Sequence, residues 1–153
     1  METSGVVIAP RKNKIYMETI KIKIDWSDHN FGAVTECEAL DGIVIATAKT
    51  YDMLMEELSK AIQEHIASME HDGETVPEWL RQGRYGYDIE LGTAALLRKC
   101  ERFTSLAAIA RASGINQQQL SHYASGIRTP RKEQRKRIVD GIHRIGQEFL
   151  SVV

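Results

Sequence analysis

SLAAIARASGINQQQLSHYASGIRTP, residues 105–130, is the stretch on which the reading of this chain turns. Thr104 or Ser105 supplies a side-chain oxygen to cap a short helix that carries Leu106, Ile109 and Ala110 on one side. Ala110 is small where a following helix would crowd this one, and Gly114, four residues on, suits a left-handed turn that only glycine adopts without penalty. Asn116 begins a second short helix, with Gln119 three residues later as in a capping box. Gly126 ends it. Ile109, Ile115, Leu120 and Tyr123 are then the apolar wedge between the two helices, and Gln117, Gln118, Ser121 and His122 point outward.

Outward from this pair the pattern stays helical. Thr93 is expected to cap a helix running through Phe103, with Leu96, Leu97, Cys100 and Phe103 available to a core. Thr129-Pro130 is expected to open a last helix, Thr as cap and Pro in the first turn, with Ile138, Ile142, Ile145 and Phe149 as its apolar stripe. Residues 92–153 therefore read as an all-helical domain with helix-turn-helix spacing. Its outward residues suit DNA. A glutamine amide donates and accepts at once and so pairs bidentately with adenine in the major groove. Asn116, Gln117, Gln118, Gln119, Ser121 and His122 are the candidate base-side contacts; Gln119 either completes the cap on Asn116 or reaches DNA. Arg128, Arg131 and Lys132 are the candidate phosphate contacts, which set register without reading sequence. Arg135, Lys136 and Arg137, further along, are either phosphate contacts or a solvated face.

Towards the N-terminus the period changes to two. Ile20, Ile22 and Ile24 alternate with Lys21, Lys23 and Asp25; Phe31, Ala33 and Thr35 alternate again after the turn-like Asp28-His29-Asn30. Asp41-Gly42 marks a turn, and Ile43-Val44-Ile45-Ala46-Thr47 is apolar enough to be a central strand. A helix capped by Thr50 follows, with Leu54, Leu58, Ala61, Ile62, His65 and Met69 on one face, His65 as a satisfied core histidine. His71-Asp72-Gly73 ends it, and Pro77 is expected to prevent its resumption. Tyr85, Tyr87, Ile89 and Leu91 alternate in a fourth strand. The expected fold class is α+β: a sheet-plus-helix domain over residues 17–91, then the helical domain, with residues 1–16 a flexible tail.

Charge divides the same way. Residues 92–153 hold eleven Lys or Arg and four Asp or Glu, a net +7, whereas residues 1–91 hold nine and 17, a net −8. A basic half suits a polyanion, an acidic half a basic protein partner. No apolar run approaches the ~18 residues of a membrane span. Arg11, Lys12 and Lys14 follow the apolar Val6–Ala9 stretch, the reverse of a signal peptide, so a cytoplasmic, nucleoid-associated protein is expected. Cys37 and Cys100 lack metal-ligand spacing and read as reduced thiols. Asp25, Glu36, Asp88 and Glu90 form no identifiable nuclease constellation, and there is no phosphate-binding glycine loop or nucleophile motif. No enzyme activity, metal or cofactor is expected.

Ser105–Ala110, Gly114–Ser121 and Gly126–Pro130 together resemble the Cro/C1-type (XRE) repressor domain. The resemblance implies base reading by Gln117, Gln118, Gln119 and His122, and a backbone contact by Arg128. Leu106 stands where many members of that family carry a bracing glutamine. The strand-strand-strand-helix-strand order of residues 17–91, with Thr50 entering the helix and a Pro-bearing loop before the last strand, is similar to HicB antitoxins, which carry a truncated RNase H-like fold. That likeness implies a HicA-type mRNA interferase as partner, a small basic RNA-binding toxin, and autorepression at double-stranded operator DNA by a homodimer or higher even oligomer. The likeness assigns no particular residues to toxin contact. The alternative is a stand-alone repressor whose N-terminal domain senses or dimerises. A metal-dependent nuclease is the rival of a different class.

Overall fold

The structure is a computed structural model that describes residues 17–153 and the backbone of Gly5–Val7; the rest of the tail expected over residues 1–16 lies outside the described residues. The chain divides between Leu91 and Gly92 into two compact units. Both classes of element are present, so the chain is α+β.

The first unit is built on a mixed sheet. Strands β2 (Glu18–Ser27), β3 (Asn30–Glu36), β4 (Ile45–Ala48) and β5 (Tyr85–Leu91) lie in the order β5-β2-β3-β4, and the backbone of β1 (Gly5–Val7) extends it antiparallel along β5. β2 pairs antiparallel with β3 and parallel with β5. Asp28 and His29 make the two-residue hairpin between β2 and β3, with φ of 48° and 61°, the twist that right-handed strands require. Ile20, Ile22 and Ile24 send their side chains to one face, where helix α1 (Tyr51–His71) buries them beneath Leu54, Leu58, Ile62, Ile66 and Met69. The Thr50 hydroxyl accepts from the Met53 amide and caps α1. A ring nitrogen of His65 bonds the Leu40 carbonyl, so this histidine is satisfied where it meets the core. Lys21, Lys23, Glu36 and Glu90 occupy the other face; Lys23 meets Glu36 at 2.5 Å and Lys21 meets Glu90 at 3.5 Å. The hydrogen bond from Lys23 holds the Glu36 carboxyl below its usual range.

Two expectations for this unit are corrected. The Ile43–Thr47 segment is not central: β4 lies at the edge, and Ile43 and Ile45 are 67% and 63% exposed. Only alternate residues, Val44, Ala46 and Ala48, face the core, and β2 takes the inner position instead. Pro77 does not stop helix formation either. It stands at the N-cap of a single-turn helix, α2 (Glu78–Arg81), because proline's missing N–H costs nothing there.

The second unit is four helices: α3 (Thr93–Cys100), α4 (Leu106–Ser113), α5 (Gln117–Ala124) and α6 (Lys132–Leu150). Leu97, Ile109, Ala110, Ile115, Leu120, Tyr123, Ala124 and Ile138 form its core, with Cys100, Leu106, Ile142 and Ile145 packed at the rim. Burial pushes the Cys100 thiol up. Three expected boundaries move. Gly92, not Thr93, is the N-cap of α3; the Thr93 hydroxyl instead accepts from Arg135 at 2.8 Å. α3 ends at Cys100, which leaves Phe103 71% exposed and outside the core. α6 begins at Lys132, not at Thr129-Pro130: Arg131, with φ −68° and ψ 160°, is its N-cap and makes no side-chain cap bond. The stripe of α6 is buried only as far as Ile145; Phe149 and Leu150 are exposed. No helix among the described residues is long and apolar enough to cross a membrane.

The buried Thr35 side chain joins β3 to β4: its Oγ1 accepts from the Val44 amide at 2.9 Å while its own amide donates to the Val44 carbonyl at 3.0 Å. Thr35→Val keeps the shape and leaves the Val44 amide without that acceptor. It should lower unfolding stability by about 1–3 kcal/mol in urea denaturation; an unchanged midpoint and slope would contradict this role.

Candidate nucleic-acid interface

The turn between α4 and α5 is held by side chains from three directions. Ser105 Oγ accepts from the Ala108 amide at 3.1 Å and starts α4. Gly114 closes it with φ 68°. The buried Ser113 hydroxyl donates to Ala110 O at 3.4 Å and accepts from the Ile115 amide at 3.3 Å, bridging the turn from inside. Asn116 Oδ1 then accepts from the amides of Gln118 at 2.9 Å and Gln119 at 3.4 Å, which starts α5. At the far end of α5, Arg98 Nε donates to the Ala124 carbonyl at 2.9 Å and satisfies one of its terminal acceptors.

α6 locks this pair from behind. A Cβ added to Gly141 would sit 2.8 Å from the Ser113 amide nitrogen, so α6 reaches α4 only because residue 141 has no side chain. Arg137 Nη2 donates to the Gly114 carbonyl at 2.7 Å, and Arg144 Nη1 donates to the Ala112 carbonyl. Two arginines of the basic helix thus satisfy carbonyls at the end of α4, where the helix dipole also favours positive charge.

The sequence-derived contact residues separate into groups. Asn116, Gln117 and Gln118 are exposed at the start of α5. Ser121 and His122 are half-buried one turn on. Gln119 does not complete a capping box: its Nε2 donates to the Tyr123 hydroxyl at 2.9 Å, which turns it along α5 and away from the Asn116 amide. Arg128, Arg131 and Lys132 are exposed on the α5–α6 connection and the start of α6. Gln119, Arg128 and Arg131 come together around an open cleft of about 430 Å³. Tyr123, Thr129 and Gln134 line the same cleft and were not among the expected contacts. Tyr123 reads as pure core in an apolar pattern, and nothing in the sequence marks that its hydroxyl emerges.

The basic run is divided by its bonds. Arg135 is tied to Thr93, Arg137 to Gly114, and Lys136 to Asp140 at 2.9 Å. That last contact holds the Asp140 carboxyl below its ordinary range. The exposed cations of the connection, Arg128, Arg131 and Lys132, make no ion pair among the described residues. In the first unit the carboxylates Glu36 and Glu90 are paired with lysines, and no group of three or more His, Cys, Asp or Glu among the described residues is placed to share a metal ion. Cys37 and Cys100 are free thiols. No protein-family model matches the chain, and no curated protein or solved structure matches it.

Removing the cap in Asn116→Ala should lower stability by about 1 kcal/mol, read as a shift of the urea midpoint. The two glycines of α6 should respond with opposite sign. Gly146 has nothing within 4 Å of an added Cβ, so Gly146→Ala should stabilise by about 0.5–1 kcal/mol through helix propensity alone. Gly141→Ala should destabilise, because its methyl meets backbone at Ser113. Thermal unfolding of the two variants checks this, and a gain at both positions would contradict the close contact.

Proposed function

We propose that the chain is a sequence-specific DNA-binding regulator, with α4 and α5 acting as a helix-turn-helix of the Cro/C1 (XRE) type and α5 as the helix that enters the major groove. The observation that carries this reading is one juxtaposition. Two exposed glutamines, Gln117 and Gln118, open a helix capped by Asn116, in the same unit as the exposed Arg128, Arg131 and Lys132. Glutamines at the first turn of such a helix read adenine edges, and cations in the following loop fix the phosphate register. In this reading Leu106, packed at the rim of the core, takes the place of a bracing glutamine, and Gln119 is braced by Tyr123 instead.

For the first unit we propose a HicB-like module with a truncated RNase H-like fold that binds and blocks a small basic toxin of the HicA type. Support comes from the order β2-β3-β4-α1-β5, from the parallel return of β5 beside β2, and from the net −8 of residues 1–91, which would steer a basic partner. The two activities combine as an antitoxin that represses its own operon. No catalytic step is assigned to the chain.

Gln118→Ala should cost about 1–3 kcal/mol of affinity for the DNA upstream of its own gene and leave binding to random duplex nearly unchanged. Arg128→Ala should weaken both and reduce the salt slope by about 1. Fluorescence anisotropy across a salt series measures both quantities, and equal loss on the two duplexes for Gln118→Ala would remove its base-reading role. Co-expression with a neighbouring small basic reading frame tests the toxin half. Growth arrest by the neighbour, rescued by this chain, is the expected result; arrest without rescue contradicts it.

A further inference from the structure

Edge strands in folded proteins are normally guarded by charges, prolines or bulges, because an open edge recruits another strand. β4 is short, Ile45–Ala48, but carries no charge, proline or bulge. Residues 42–48, Gly-Ile-Val-Ile-Ala-Thr-Ala, contain no charge and no proline, and Ile43 and Ile45 are exposed there. Val34 of β3, directly opposite Ile45 in the register, widens the same apolar strip on the uncovered sheet face.

The backbone parity of β4 follows from the ladder. The two-residue hairpin makes Asn30, Gly32, Val34 and Glu36 bond to β2, which leaves Phe31, Ala33 and Thr35 to bond to β4. The Thr35 amide does donate to Val44 O. Val44, Ala46 and Ala48 therefore spend their backbone groups on β3, and the groups of Ile43, Ile45 and Thr47 point to the open edge. No strand among the described residues pairs there.

We propose that this edge pairs with the β4 edge of a second copy of the chain, antiparallel and centred on Ile45. The register is self-complementary. With Ile45 opposite its own copy, Ile43 faces Thr47 of the partner, and all three positions are of the outward-bonding kind. Asp41 and Lys49 flank the uncharged segment, so antiparallel pairing sets an acidic end beside a basic end at both ends, with Asp41, left-handed at φ 43°, lying beyond the ladder itself. A two-fold pairing of this kind uses one edge from each chain and closes on itself, so it yields a dimer and not a fibre. The net −8 of residues 1–91 opposes self-association at long range, but no like charges meet along the uncharged strand itself. The pairing rests only on the sheet unit and is independent of any nucleic acid.

The test uses the full chain. Sedimentation at micromolar concentration should give an even multiple of the monomer mass. Ile45→Lys sets two lysines opposite each other at the two-fold and should halve that mass. Lys49→Glu places like charges at both ends and should raise the dissociation constant about three- to tenfold, and Asp41→Asn in that background should recover part of it. Asparagine is chosen because residue 41 has φ 43°. Amide exchange on the wild-type chain needs no variant: Ile45 and Thr47 should be protected in the multimer and lose protection on dilution. A monomeric wild type overturns the proposal, as does fast exchange at Ile45 and Thr47 in a multimer, or a folded Ile45→Lys chain of unchanged mass.

Discussion

Ser113 occupies the space where a side chain at residue 141 would be, and the second unit depends on that contact. Because α6 presses against the end of α4, Arg137 and Arg144 can reach the carbonyls of Gly114 and Ala112. Those bonds fix the turn, the turn fixes the direction in which α5 leaves it, and α5 carries the exposed glutamines. A glycine inside a helix ordinarily costs up to about 1 kcal/mol. Here it permits a backbone approach that no other residue allows.

This seam also gives physical meaning to the basic run of α6. A string of arginines and lysines invites reading as one electrostatic patch. Arg135, Lys136 and Arg137 are each bonded to another group of the second unit, whereas Arg128, Arg131 and Lys132 make no ion pair among the described residues. A guanidinium already bonded to a turn carbonyl has fewer donors left for a phosphate. The proposed phosphate contacts therefore fall on the α5–α6 connection, which also forms one wall of the cleft at Tyr123.

Much of this was legible in the sequence where a local rule coincided with tertiary packing. Ile20, Ile22 and Ile24 alternate and are all buried; Thr50, Ser105 and Asn116 are caps by residue type and by bond. Gly114 stands in the left-handed conformation that the spacing requires. The misreadings arose where one signal had two physical causes. Ile43-Val44-Ile45 is apolar, which suits a central strand, yet alternate residues of an edge strand give the same composition. Thr129-Pro130 resembles a helix start, but the extended backbone persists through Arg131 and α6 opens at Lys132. The Gln119–Tyr123 bond, the Arg137 and Arg144 clamps and the Gly141 contact join residues that no local pattern links. The lone clue to the last was a glycine in the middle of a helical stripe.

Two features of the chain thus look outward: the polar start of α5 with its cationic loop, and the apolar edge of β4. The first carries the central claim, and amide chemical-shift mapping on the full chain tests it most directly. With a duplex taken from upstream of its own gene, the account predicts perturbations concentrated at residues 116–122 and 128–132. With a random duplex, those at Gln117 and Gln118 should fall away while those at Arg128 and Arg131 persist. Perturbations spread over the sheet unit, or none at the start of α5 with either duplex, would contradict it.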